Sequence, residues 1–326
     1  MAPQLGPKTT GTELVAEYAE HIRGKTILVT GVSPGGLGAT FAEKTAAAAP
    51  ALLILAGRNT TKTQQTADTI AAAHPEVDVK TLELDLGSFR SVRRAAETVN
   101  GWAGVPKIDV LVNNAGIMAT PWGKTEDGFE SQFGTNHLGP FLFTNLVMGK
   151  VLAAEAPRVV TVSSDGHRLG HIRWTDYNFN DGKHYNEWHA YGQSKTANCL
   201  MAISLAEKLG GKGLLSLSLH PGVIFTNLSN HLENFEACRA QDINMGTKFM
   251  WTDFDPKTED QGVATHVYTA FSPDLEELAE FNGQFFNDCR VADQYKEEVY
   301  PWATNKIEAD KLWTLSEKLV GQKFSY

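Results

Sequence analysis

The sequence predicts an α/β fold, an open sheet of parallel strands wound with helices on both faces, and three features predict it. Short β-branched or wholly apolar runs alternate with longer helical patterns through most of the 326 residues, the order of elements that builds a parallel sheet. Runs such as Ala51-Leu-Leu-Ile-Leu-Ala56 are apolar throughout, not at every second position, as suits strands covered on both faces. Glycine or polar residues directly follow strands at six places, Gly31–Gly38, Arg58, Asp85, Asn113–Gly116, Ser164 and Pro221–Val223. Ligands of such sheets bind outside the carboxyl ends of the strands.

Taken in order, Lys25–Thr30 is the first strand and ends in Gly31-Val-Ser-Pro-Gly-Gly-Leu-Gly38, with a helix from Ala39 to about Ala48. Strand, glycine loop and helix together present main-chain N–H groups to a phosphate; a plain flexible turn is the alternative. The second strand closes on Gly57-Arg58. An acidic side chain here suits ribose hydroxyls, an arginine a 2′-phosphate, and Lys62 adds a second positive charge; a solvated residue at a strand end is the other reading of Arg58. A helix (Thr61–His74) leads to a strand (Val77–Leu84) and Asp85-Leu86, and a second helix (Ser88–Trp102) to a strand (Ile108–Val112) and Asn113-Asn-Ala-Gly116. A long helix, about Asp127 to Ala154, carries Asn136; the strand Arg158–Val162 ends in Ser163-Ser164. After a helix from Ala190 to Leu209, the strand Leu214–Leu219 ends in His220-Pro-Gly-Val223, and Gly283–Phe286 is expected as a last, edge strand. No repeat, low-complexity linker or boundary interrupts this order, so a single domain over residues 1–326 is expected, Rossmann-type, with its core over about 23–290 and a C-terminal extension over about 291–326.

The chemistry converges on Tyr191-Gly-Gln-Ser-Lys195. A tyrosine and a lysine four residues apart share one face of the Ala190–Leu209 helix. A phenol with an ordinary pKa of about 10 exchanges protons poorly at neutral pH, and a nearby ammonium stabilises the phenolate and brings that pKa down. On its own the pair also fits a surface lysine lying over a buried tyrosine. The six loops at the carboxyl end of the sheet favour the chemical reading.

Composition narrows the function further. The formal charge of −9 with no long basic cluster argues against nucleic acid or an anionic membrane surface as a partner. Cys199, Cys238 and Cys289 are widely spaced, and the ten histidines include no HExxH, so neither a disulfide framework nor a metal site is expected. No secretory leader and no run of eighteen apolar residues is present, which leads to the expectation of a cytoplasmic protein without an integral membrane segment. The sequence leaves self-association as a homo-oligomer open.

In order along the chain, Asn113-Asn-Ala-Gly116, Asn136, Ser164, Tyr191 with Lys195, and Pro221-Gly222 resemble the short-chain dehydrogenase/reductase family, non-extended branch, over about residues 23–290. Phe133-Gly-Thr-Asn-His-Leu-Gly-Pro-Phe141, His220-Pro-Gly-Val-Ile-Phe-Thr-Asn-Leu228 and Gly283-Gln-Phe-Phe-Asn-Asp-Cys289 are most similar to its retinol dehydrogenase and WW-domain oxidoreductase group. The resemblance implies an NADP(H)-dependent enzyme that interconverts a small-molecule carbonyl and its alcohol. Tyr191 would be the general acid/base, Lys195 would bind the nicotinamide ribose and lower the Tyr191 pKa, Ser164 would hydrogen-bond the substrate oxygen, and Asn136 would position a relay water. On the cofactor, Gly31, Ser33, Gly36, Leu37 and Gly38 would meet the pyrophosphate and Arg58 with Lys62 the 2′-phosphate. Asp85 and Leu86 would meet adenine, Asn113, Ala115 and Gly116 the adenosine side, and Pro221, Val223 and Thr226 the nicotinamide end. A sugar-nucleotide epimerase and a non-catalytic dinucleotide-binding sensor or scaffold are the rival readings.

Two features depart from the family pattern. Four residues, Val32 to Gly35, separate Thr30-Gly31 from Gly36-Leu37-Gly38 where three are usual, and Ser164 and Tyr191 stand 27 positions apart. The intervening stretch, with Trp174, Tyr177, Phe179, Tyr185 and Trp188, is either a surface loop anchored by aromatics or part of a pocket wall. A substrate lid is expected over about 226–260, with Leu228, Leu232, Phe235, Met245, Phe249, Met250, Trp251 and Phe254 as its apolar lining; a helix docked on the core fits the same pattern. Such a lid suits a bulky, weakly polar ketone or aldehyde.

Overall fold

The computed structural model describes residues 5–229, 231–232, 235–247, 255–275 and 279–326. Eight strands form one sheet: β1 (Thr26–Thr30), β2 (Leu52–Gly57), β3 (Asp78–Glu83), β4 (Val110–Asn113), β5 (Arg158–Val162), β6 (Leu215–His220), β7 (Phe285–Asn287) and β8 (Arg290–Val291). The order across the sheet is β3-β2-β1-β4-β5-β6-β7-β8. All neighbours are parallel except β7 and β8. The expected edge strand is thus one place in from the edge: positive φ at Asp288 and Cys289 turns the chain back, and the two residues of β8 close the sheet.

The helices are α1 (Gly11–Glu17), α2 (Ala19–Ile22), α3 (Leu37–Ala46), α4 (Thr60–Ala73), α5 (Phe89–Gly101), α6 (Ser131–Phe133), α7 (Gly139–Val151), α8 (Glu187–Leu209), α9 (Glu236–Met245), α10 (Glu259–Gly262), α11 (Ala264–Phe271) and α12 (Lys306–Val320). Alternation along each central strand divides the interior into two cores. Ile27 and Val29 of β1 face Phe41, Ile70 and Phe271 of α3, α4 and α11. Leu28 faces the opposite core, which holds Val92, Phe141, Leu200 and Trp313 from α5, α7, α8 and α12. Each large side chain buried this way contributes roughly 1.5–3 kcal/mol.

The long helix expected from Asp127 is broken. Residues 127–130 make a turn and an isolated bridge between Lys124 and Glu130, and α6 begins at Ser131, capped by the Glu130 carboxylate on the N–H groups of Gln132 and Phe133 at 2.8 and 2.7 Å. A π-type turn over Gly134–Leu138 then joins α6 to α7 and holds Asn136. Such a turn shifts the residues it contains out of the regular helical register. Helix α8 starts three residues earlier than the apolar pattern suggests, because Asn186 accepts from the N–H groups of Trp188 and His189.

Candidate active site

The sheet order reverses between β1 and β4, and the crevice at their carboxyl ends is where such sheets hold ligands. Gly31 follows β1 with φ +75°, and a Cβ there would lie 2.7 Å from Ala115 Cα, so only glycine lets the two loops meet. Asn114 ties them together: its Nδ2 donates to the carbonyls of Thr30 and Gly31 at 2.9 and 3.2 Å, and its N–H donates to Thr30 Oγ1. The extra residue of the loop is absorbed by a turn in which the Gly36 N–H donates to the Ser33 carbonyl at 3.1 Å. Gly36 then becomes the N-cap of α3, followed by Leu37 and Gly38 in the first turn. No side chain caps α3 and no carboxylate lies in its first turn, whereas Asn59, Ser88, Asn186 and Asn305 cap α4, α5, α8 and α12. An uncapped helix N-terminus behind a glycine loop offers N–H groups and a positive dipole end to an anion.

Around this loop the rim is polar. Arg58 and Lys62 are exposed beyond the end of β2, and the Asp85 carboxylate accepts the Gly87 N–H at 2.9 Å. The Asn113 side chain turns inward, donating to Thr144 Oγ1 at 2.8 Å and leaving Oδ1 buried without a protein partner. From the far side, Asn227 Nδ2 donates to the Pro34 carbonyl at 3.0 Å, which brings the segment containing Pro221, Val223 and Thr226 against the glycine loop.

The other end of the crevice is buried. Tyr191 is 5% exposed and Lys195 4%, both on α8. Tyr191 and Ser164, which lies just past β5, converge at Gly166, where a Cβ would lie 2.6 Å from Tyr191 Cε1 and 3.2 Å from Ser164 Oγ. Lys195 Nζ donates to the Val162 carbonyl at 3.1 Å and lies 5.6 Å from the Tyr191 ring centroid. Asn136 grips the Ile117 peptide from both sides, accepting its N–H and donating to its carbonyl, each at 2.8 Å, and donates to Ser194 Oγ at 2.9 Å. A Cβ on Gly116 would lie 3.2 Å from Asn136 Oδ1 and 3.5 Å from Lys195 Nζ, so Gly116, Asn136 and Lys195 occupy one spot. Gly166 performs a similar service for the tyrosine: a Cβ there would lie 2.6 Å from Tyr191 Cε1.

Burial sets the electrostatics. It pushes the Tyr191 phenol above its ordinary range, with the neighbouring Ser164 side chain acting the other way. It also brings the Lys195 ammonium down to about 8. The expected lowering of the phenol by Lys195 is not found in the chain alone: desolvation disfavours both charges and raises the phenol instead. Asp165 is held well below the usual carboxylate range: burial opposes its charge, but the Arg168 guanidinium 2.7 Å away more than compensates.

Arg168, Asp242 and Leu169 were not singled out from the sequence. Arg168 pairs with Asp165 at 2.7 Å and with Asp242 of α9 at 2.8 Å, tying the turn after Ser164 to the segment that follows β6. Leu169, Trp188 and Cys238 pack with Tyr191 and Ala119, flanked by Met118, Leu232 and Phe235. The stretch between Ser164 and Tyr191 is anchored by aromatics, as one of its two expected readings has it. Phe179, wholly buried, anchors it edge-on against Tyr185 and His189, and Leu169 and Trp188 reach the tyrosine. Of the expected lid lining, Leu232 and Phe235 join this cluster, Leu228 is 39% exposed, and Phe249, Met250, Trp251 and Phe254 lie outside the described residues. Asn114 was legible within its motif; Arg168 and Asp242, 74 residues apart, carry no local signal.

Residues 25–178 match the family model described as short chain dehydrogenase. The chain is 37% identical to retinol dehydrogenase 14 of Mus musculus over 310 residues, covering 92% of this chain and 87% of that one. The chain belongs to the short-chain dehydrogenase family. Within it, the chain falls in the retinol dehydrogenase group, and the short-chain dehydrogenase TIC 32 A, chloroplastic, of Brassica napus is 35% identical over 97% of this chain and 96% of its own. A solved structure of an uncharacterized protein from Mycobacterium paratuberculosis superimposes with a TM-score of 0.70 at 33% identity, covering 94% of this chain and 96% of that one. Family membership makes the protein an oxidoreductase that uses a nicotinamide cofactor to interconvert a carbonyl and an alcohol. Among the described residues no helix is long and apolar enough to cross a membrane.

Proposed function

We propose that the protein is an NADP(H)-dependent oxidoreductase acting on a bulky, mainly apolar carbonyl or alcohol, with Tyr191 as the general acid/base. The observation that carries this reading is the convergence of Ser164 on Tyr191, which itself lies inside an apolar cluster with Ala119, Leu169, Trp188 and Cys238. The glycine loop, the uncapped start of α3 and the rim charges Arg58 and Lys62 suit a dinucleotide with a 2′-phosphate. The relatives named as retinol dehydrogenases carry in their names an alcohol of this apolar kind.

When bound, the cofactor supplies or accepts the hydride. The chain supplies the rest. Tyr191 exchanges a proton with the substrate oxygen, and Ser164 donates a hydrogen bond to that oxygen as charge develops on it. Lys195 sits behind Tyr191, facing the ribose side of the crevice. Asn136 holds the Ile117 peptide beside Lys195, where a relay water would lie. Asp85, Leu86, Ala115 and Gly116 line the adenosine side, with Pro221, Val223 and Thr226 at the nicotinamide end.

The test is steady-state turnover of a carbonyl panel with NADPH and with NADH. Burying a large apolar ligand yields roughly 25 cal/mol per Å², so kcat/KM is expected to be at least about tenfold higher for bulky apolar carbonyls than for glyceraldehyde-sized ones. Equal or better turnover of the small compounds would overturn the substrate assignment. Binding of NADPH without turnover of any carbonyl would favour a sensor or scaffold.

A further inference from the structure

The catalytic serine is held from behind by a histidine whose proton placement is determined by its partners. His167, 1% exposed, contacts main-chain groups through both ring nitrogens. The Tyr300 N–H donates to Nε2 at 3.2 Å, so Nε2 must be the acceptor. Nδ1 lies 2.7 Å from the Ser164 carbonyl, which only accepts, so Nδ1 must carry the proton. The ring is therefore neutral with hydrogen on Nδ1, and burial lowers its pKa to about 4 in agreement. The rest of His167 is clamped as well. Its carbonyl accepts from Trp302 Nε1 at 2.9 Å and from Thr196 Oγ1 at 3.1 Å, and its ring stands edge-on to Phe285 at 5.1 Å.

Tyr300 and Trp302 belong to the segment after β8, and their rings stack at 4.9 Å. That segment is itself anchored to α8 and α7, through the Ser204 hydroxyl on the Ala309 carbonyl at 2.9 Å and the Tyr326 hydroxyl on Asn145 Oδ1 at 2.5 Å. We propose that His167 is a positioning residue for Ser164, and that the C-terminal extension acts through it as part of the catalytic apparatus. The ring converts the position of Tyr300 into the position of the Ser164 carbonyl, and with it the direction of the Ser164 hydroxyl toward the substrate oxygen. This inference rests on the proposed role of Ser164.

A double-mutant cycle tests it. His167→Phe keeps a ring against Phe285 and removes both hydrogen bonds; His167→Asn retains an amide donor for the Ser164 carbonyl. In the otherwise wild-type protein, His167→Phe is expected to lower kcat by about tenfold to a hundredfold, with cofactor Kd and KM changed far less and His167→Asn restoring part of the loss. In a Ser164→Ala background, His167→Phe is expected to add no more than about twofold, since it acts through the missing hydroxyl. The same percentage loss in both backgrounds would show a merely structural role and overturn the proposal. Full activity in Ser164→Ala alone would remove the reading of Ser164 and the proposal with it. Should His167→Phe fail to fold, Trp302→Phe, which deletes the indole donor and keeps the stack, takes its place in the cycle, with a smaller loss expected in the presence of Ser164 and none in its absence.

Discussion

Around the loop after β1, the groups offered to a ligand are main-chain N–H donors and exposed side chains, Arg58 and Lys62 among them, whereas around Tyr191 every acting side chain is tied into the protein. Ser164 is bonded to Gly166 and Asp165, Lys195 to Val162, and Asn136 to Ile117 and Ser194. The difference suits the role proposed for each end. A phosphate carries its own charge and is recognised by donors that need no tuning, and water at the rim costs little. A proton exchange with a substrate oxygen needs a group at a defined distance in a water-poor site, and burial shifts its acidity at the same time. Substitutions at the first end should therefore change which cofactor binds, and those at the second the rate.

The largest effect is expected at the buried end. Tyr191→Phe keeps the ring in its apolar cluster and removes the proton donor, so kcat should fall by about 10²–10⁴. A fluorescence titration should show cofactor affinity little changed. Turnover near the wild-type rate would remove the acid/base assignment.

At the rim, Arg58→Asp should weaken NADPH by roughly 1.5–3 kcal/mol, about ten- to a hundredfold in Kd, and shift preference toward NADH. Near-equal binding of the two cofactors by the wild type would already refute the 2′-phosphate role.

Acid separates the two regions through stability. Burial holds His137 at about 3 and His167, His189 and His266 at about 4, the first three on the Tyr191 side of the sheet and His266 in α11 on the other. Each folded pKa lies below the unfolded value near 6.5, so the unfolded chain binds more protons between those values and stability falls as pH drops through that window. Glu130 opposes this. Burial raises it to about 7 against the N–H groups it caps, so it gives back stability as pH falls from 7 toward 4.5. The expected net is a loss of roughly 4–6 kcal/mol between pH 7 and pH 5. Urea unfolding at the two pH values measures it, and hydrogen exchange should show α7 and α8 loosening before α3 and α4. A midpoint that does not move would mean these histidines are not buried neutral.

The smallest effect concerns the helix that carries the pair. Asn186→Ala removes the cap of α8 and should cost about 1 kcal/mol of stability while leaving kcat within about twofold, because Tyr191 and Lys195 lie in the second and third turns. A tenfold loss of kcat would show that the start of α8 controls the tyrosine directly.

The sequence alone determined the parallel sheet, its order of strands and helices, and the points where the site residues leave it. Apolar period, glycine placement and the i,i+4 pair are local, and local physics forms those elements. Asn114 and Gly116 were legible for the same reason. Tertiary structure decided the rest. The break before Asn136 depends on Glu130 capping α6, which competes with a helix pattern that runs straight through it. The edge of the sheet depends on a turn at Asp288 and Cys289 in a conformation rare for side chains other than glycine. The ties that hold Ser164, from Asp242 through Arg168 and from Tyr300 through His167, join residues 74 and 133 positions apart. A buried ion pair or a histidine bonded at both nitrogens has no period and no spacing in sequence. Only folding brings the partners close enough, and removes enough water, for those bonds to form.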